Sequence, residues 1–120
     1  MKSKRSKEFQ NNEDDPYDLC NIYGKWTGLP VIIWAITKGK GKYPPNIKVQ
    51  SNYSTKTSDE DWFSVTISDT PEIRVGDQGE ISKDDLDKVF RWIIINKELL
   101  LQYWDYEMDT IEFGNLIKKI

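Results

Sequence analysis

Ser82–Trp104 constrains the fold more than any other part of this 120-residue chain, because it reads as one long helix with apolar residues on two sides. Leu86, Val89, Phe90, Ile93, Leu100 and Trp104 recur at the three-and-four spacing of a core-facing stripe. Trp92, Ile95, Leu99 and Tyr103, continued by Tyr106, point roughly the opposite way at about 100° per residue. One buried face is enough to hold a helix in a small domain. The second stripe therefore needs a cover, supplied by Tyr17–Trp26, by the C-terminal tail or by a partner. The start of the helix is well marked. Ser82 is placed to cap it, and Asp84 and Asp85 sit in the first turn, where the macrodipole favours acid. Burying the six residues of the main stripe contributes roughly 1.5–3 kcal/mol each before conformational entropy is subtracted.

Composition removes several classes of chemistry. The chain has no histidine, which excludes imidazole acid–base catalysis, Ser–His and Cys–His dyads and imidazole metal sites. Cys20 is the single cysteine, so neither an internal disulfide nor a multi-thiolate metal site forms, in keeping with a reducing cytoplasm. The net charge of −3 argues against a generic nucleic-acid binder, although local basic patches remain open. No apolar run approaches the length of a membrane span, and neither a metal nor a cofactor is called for. Five Trp and six Tyr bury large areas, so they build the core and its rim or mark a binding surface.

Residues 1–16 carry almost no apolar content and switch from basic to acidic, which reads as a disordered N-terminal arm ahead of a single domain over 17–120. The spacing of Tyr17, Leu19, Ile22 and Tyr23 does not decide between strand and helix. Pro30 opens Val31–Thr37, a β-branched run with the character of a buried strand. Ile47–Tyr53 begins with alternation, and Trp62–Ile67 alternates with Phe63, Val65 and Ile67 on one face. Glu72–Val75 is a short fourth strand before Gly76. Beyond the long helix, the alternating pair Ile111 and Phe113 suggests a short C-terminal edge strand. The expected architecture is α+β: an antiparallel three- to four-stranded meander packed against one long C-terminal helix.

Two patterns carry candidate chemistry. Lys38, Lys40 and Lys42, interleaved with Gly39 and Gly41 and followed by Tyr43, have the composition of an anion-binding loop. Glycines let backbone N–H groups approach phosphate, lysines supply charge, and Tyr43 offers a ring for stacking on a base. Lys48 lies just beyond and joins this set. The loop lacks the spacing of a P-loop, and no helix follows it directly. Carboxylates cluster at Asp59–Asp61 and at Asp84, Asp85 and Asp87, without the alternation of a calcium loop. Lys97 falls inside the main apolar stripe and is expected to snorkel to the rim or to pair with a buried carboxylate, ahead of acting as a functional amine of depressed pKa.

The order of features resembles the small bacterial proteins grouped as domain of unknown function 4160. The residues that carry the resemblance are Pro44-Pro45-Asn46-Ile47-Lys48-Val49, then Asn96-Lys97-Glu98-Leu99-Leu100-Leu101 with Trp104, and the tail Leu116-Ile117-Lys118-Lys119-Ile120. It spans roughly residues 29–120. That family typically opens the corresponding strand with Pro-Pro-His-x-His and has arginine where Lys97 stands. Asn46 and Lys48 replace the two histidines here, so no role of theirs carries over, and Lys97 keeps the charge without a bidentate fork. The resemblance implies a compact accessory module, toxin–antitoxin-like, with no established activity.

Three readings follow in order. The first is a protein-interaction module, acting as a homodimer or with a small partner protein, through Trp92, Ile95, Leu99 and Tyr103. The second is a nucleic-acid-binding component that uses Lys38, Lys40, Lys42, Tyr43 and Lys48. A His-free enzyme built on Lys97 or an acidic pair ranks last, and no catalytic residue is nominated.

Overall fold

Alternation along four apolar runs, each ended by glycine, proline or a polar turn, builds the sheet that organises this protein. The computed structural model describes residues 19–39, 42–58 and 60–120. The expected disordered arm over 1–16 lies outside the described residues, as do Tyr17, Lys40 and Asp59. The strands are β1 (Leu19–Ile22), β2 (Ile33–Ile36), β3 (Asn46–Gln50), β4 (Trp62–Thr66) and β5 (Ile73–Val75). They form one antiparallel meander in the order β1-β2-β3-β4-β5. The α+β class is as expected, but the sheet has five strands rather than three or four. The fifth is β1, which pairs Leu19 with Ile36 and Ile22 with Ile33.

One face of the sheet is apolar and buried. Ile22, Ile33, Ala35, Ile47, Val49, Phe63 and Val65 pack there against Leu86, Val89, Trp92, Ile93, Leu100, Tyr103 and Phe113 from the helices. A short turn of helix, α1 (Gly24–Thr27), joins β1 to β2. It ends at Gly28, which has φ 81° and lies so close to the C-terminal tail that a Cβ would meet the Ile120 carbonyl oxygen at 2.6 Å. Glycine is required there on both counts.

The long helix of the sequence reading is two helices, α2 (Lys83–Ile95) and α3 (Lys97–Trp104), with Asn96 between them at φ −109°, ψ 14°. The buried Asn96 amide Nδ2 donates to the Trp92 and Lys118 carbonyls, while its Oδ1 accepts from the Lys118 N–H. A side chain that competes for backbone groups in this way disfavours uninterrupted helix. The expected edge strand at Ile111 and Phe113 is also corrected. Those residues lie in a third helix, α4 (Thr110–Leu116), capped by Asp109, whose carboxylate accepts from the Glu112 N–H at 2.8 Å. At the start of α2, Ser82 Oγ accepts from the Asp85 N–H at 3.1 Å, the cap expected from sequence.

Candidate anion-binding cleft

Because side chains alternate along a strand, the residues between the core positions of β2, β3 and β4 all face the other way. They are Trp34 and Ile36, then Asn46, Lys48 and Gln50, then Trp62, Ser64 and Thr66. Gln50 closes one end of this face. Its amide donates to Asn52 Oδ1 and to the Ser54 and Lys56 carbonyls, and its Oε1 accepts from the Ser58 N–H, so the 52–58 loop folds over it. The other end remains a cleft of about 300 Å³, whose lining includes Lys38, Tyr43, Asn46, Lys48, Trp62, Ser64, Arg74 and Trp104. That volume stands at the small end of ligand sites.

Each wall has an identifiable support. Lys48 and Ser64 are direct cross-strand partners on β3 and β4. The Lys48 ammonium sits 4.4 Å from the Trp62 ring centroid, and the Arg74 guanidinium 4.9 Å from that of Tyr43. Both are cation–π arrangements, which leave the charged groups beside flat aromatic surfaces. On the far side the 104–106 turn holds the start of the lysine loop. The Lys38 N–H donates to the Trp104 carbonyl at 3.0 Å, and Lys38 Nζ pairs with Asp105 at 3.4 Å. The Gly39 N–H donates to the Tyr106 hydroxyl at 3.0 Å. Tyr106 itself adopts a left-handed backbone conformation, φ 64°.

The electrostatics of the cleft are one-sided. Lys38, Lys48 and Arg74 line it, and among the described residues no carboxylate does. Lys38 is offset by Asp105, whereas Lys48 and Arg74 have no ion-pair partner among the described residues. Burial lowers the Lys48 pKa from its ordinary value of 10.5, since a partly desolvated ammonium is less stable charged. Ser64 is only 2 % exposed, and among the described residues its Oγ has no hydrogen-bond partner. An unpaired polar group at that depth is uncommon in folded proteins.

The nucleic-acid candidates are thus partly brought together. Lys38, Tyr43 and Lys48 meet in the cleft, Lys42 is exposed and does not line it, and Lys40 lies outside the described residues. Sequence reasoning missed Asn46, Trp62, Ser64, Arg74 and Trp104. The signal for two of them was present: placing Phe63, Val65 and Ile67 on one face puts Trp62 and Ser64 on the other.

The interaction candidates are not brought to one surface. Trp92 and Tyr103 are 0 % and 1 % exposed, so both belong to the core and neither is available to a partner. Tyr103 stacks on Phe113 of α4 at 4.8 Å, which supplies the cover from within the chain. Ile95 remains 44 % exposed and Leu99 is half-buried. With Ile94 and Leu116 these two line a shallow groove that also includes Asp69, Lys97, Glu98 and Lys118. Lys97 reaches outward to Asp69 at 3.1 Å, as its place in an apolar stripe required. Among the described residues no group of three Asp, Glu or Cys side chains could hold a metal ion, and no helix is long and apolar enough to cross a membrane.

No family model matches the chain, and neither a curated protein nor a solved structure matches it. The likeness to domain of unknown function 4160 therefore rests on the quoted residues alone.

Proposed function

We propose that this protein binds single-stranded nucleic acid through the cleft between β3, β4 and the lysine loop. The observation that carries this reading is the pair Lys48 and Arg74, each set against an aromatic ring and without a carboxylate partner among the described residues. Phosphate recognition needs cations, and sequence-tolerant recognition of unpaired bases needs ring faces. The overall charge of −3 confines attraction to this locality, so the surface is a specific site rather than a basic coat.

Fluorescence anisotropy with a labelled ten-nucleotide single strand tests the reading. Binding should weaken with salt at a logarithmic slope of about −2, the value for roughly three phosphate contacts on a single strand. It should fall about tenfold or more in Lys48→Ala/Arg74→Ala. Absence of binding at low salt, or unchanged binding by the double variant, would remove the proposal.

A second reading keeps the interaction module, moved to what remains exposed of its stripe. Ile94, Ile95 and Leu116 are exposed neighbours, and their groove carries both acid and base, which suits a second copy of the same surface. A sedimentation experiment in which the wild type is dimeric and Ile95→Asp is a folded monomer would support it; a monomeric wild type would end it. A cytoplasmic, accessory, toxin–antitoxin-like setting, as the resemblance implies, accommodates either reading.

A further inference from the structure

The floor of the cleft holds two groups in a state that an anion would complete. Ser64 is buried, lies directly across from Lys48 in the register of β3 and β4, and carries a hydroxyl with no partner among the described residues. Lys48 is held beside the Trp62 ring with no carboxylate at ion-pair distance among those residues. Cβ atoms of directly opposed residues on an antiparallel pair lie about 4.5–5.5 Å apart. Both residues line the same cleft. The third floor residue, Asn46, has its Nδ2 committed to the Pro44 carbonyl at 2.8 Å.

Charge and size narrow the anion. Lys48 and Arg74 supply two positive charges with no carboxylate partner among the described residues, against one negative charge on an internal phosphodiester and close to two on a terminal phosphate at neutral pH. The cleft of about 300 Å³ gives room for one phosphorylated ring, so the further phosphates of a bound strand lie outside it. Tyr43 and Trp104 line the same cleft and offer aromatic surface to a base attached to that phosphate.

Resting on the strand-binding reading above, we infer that the cleft selects a terminal phosphate monoester of a nucleotide, with the Ser64 hydroxyl and the Lys48 ammonium as the groups that hold it. The phosphate draws Lys48 from the Trp62 ring and accepts from Ser64 Oγ, which gives the buried hydroxyl the partner it lacks. An internal phosphate, flanked by chain on both sides and carrying less charge, gains less from the same floor.

The test compares a ten-nucleotide single strand bearing a 5′-phosphate with the same strand bearing a 5′-hydroxyl, with a 3′-phosphorylated strand and AMP as further probes. Wild-type protein should prefer one phosphorylated end, or AMP over adenosine, by about tenfold or more, the range for a hydrogen bond to a charged group. Ser64→Ala, a small change in a buried strand position, should reduce that preference to about twofold. A thermal melt of the variant confirms that it is folded, and Ser64→Cys serves if the alanine variant is not. Equal affinity for phosphorylated and hydroxyl ends, with AMP no better than adenosine, would overturn the inference and leave strand binding standing. A preference that survives Ser64→Ala would overturn the role of the floor. Failure of every probe at low salt would overturn both readings together.

Discussion

The Asn96 side chain grips the backbone of Lys118 from both sides: Oδ1 accepts from its N–H at 2.7 Å and Nδ2 donates to its carbonyl at 3.0 Å. This contact does two jobs. It breaks the helix between α2 and α3, and it ties down the tail that continues to Ile120, whose N–H donates to the Thr27 carbonyl at 2.8 Å. Asn96→Ala leaves backbone groups at Lys118 without partners and should destabilise the protein by about 2–4 kcal/mol, each lost bond or orphaned group costing about 1 kcal/mol or more. Urea denaturation measures it. Asn96→Asp keeps one acceptor but not the donor and should fall between wild type and alanine.

At the other end of α2 the Tyr53 hydroxyl donates to Asp85 Oδ2 at 2.7 Å and accepts from the Ser82 N–H at 2.9 Å. The hydrogen bond from Tyr53, with smaller help from Ser82 and Lys88, holds the Asp85 pKa below its ordinary value of 3.8. A carboxyl group with a depressed folded pKa adds stability above its unfolded value and loses it as pH falls through the folded one. Tyr53→Phe should therefore have a lower Tm than wild type at pH 7. The gap should narrow as pH is taken below 3.8, and a gap that stays constant from pH 7 to pH 2 would contradict this linkage.

Much of this fold is legible from alternation alone. Phe63, Val65 and Ile67 mark the core face of β4, and Ser82 and Asp85 mark the start of α2. One miss arises because local pattern does not see long-range polar contacts. Nothing near Asn96 announces that its amide bonds a residue 22 positions away, yet that contact breaks the helix. Trp92 and Tyr103 are buried for a plainer reason: each sits three residues from a core residue, Val89 and Leu100, and so only about 60° from it on the wheel, at the edge of the main stripe rather than on the far side. In α4 the Ile111–Phe113 alternation suggests strand, and Gly114 weakens the case for helix. The overriding signal was Asp109 followed by Glu112, an acid cap three residues ahead of another acid. The cleft was half legible. Tyr43 and the lysines were visible as composition, whereas Arg74 and Trp104 reach it from β5 and α3 only through the tertiary fold.

Trp62 separates stacking from charge in the cleft. Its ring faces the Lys48 ammonium, so Trp62→Ala removes a flat surface without removing a cation. Affinity for a single strand should fall by about 1–3 kcal/mol, the usual worth of one base–aromatic contact. The salt slope should stay near its wild-type value, because the number of phosphate contacts is unchanged. Anisotropy titrations at several salt concentrations report both quantities. A variant that changed slope but not affinity would place Trp62 among the groups that position phosphate.

Tyr106 governs the lysine loop from a distance of 67 residues in sequence, through the hydrogen bond its hydroxyl accepts from the Gly39 N–H. Tyr106→Phe removes that acceptor and keeps the ring. Stability should drop by no more than about 1 kcal/mol, the net worth of one exposed hydrogen bond. Amide exchange at Gly39 should accelerate clearly, with little change in the strands. If strand binding uses Lys38, affinity should fall slightly as well, because one of the contacts that hold its loop to the 104–106 turn is lost while those of Lys38 to Trp104 and Asp105 remain.

Cys20 on β1 supplies a probe of the folded state that is independent of any ligand. Burial raises its thiol pKa from 9.0 to about 11, so at pH 8 far less thiolate is present in the folded chain than in the unfolded one. Only the thiolate reacts with alkylating reagents, and iodoacetamide should modify native protein much more slowly than urea-unfolded protein. The same shift predicts a loss of stability at alkaline pH. Below 9.0 the thiol is protonated in both states and has no effect. Between 9.0 and about 11 the unfolded chain ionises first, favouring unfolding by about 1.4 kcal/mol per pH unit. Cys20→Ala removes this term, so the difference between its stability and that of wild type should change across that window and nowhere below it. Equal alkylation rates for folded and unfolded protein would mean that β1 opens freely from the edge of the sheet.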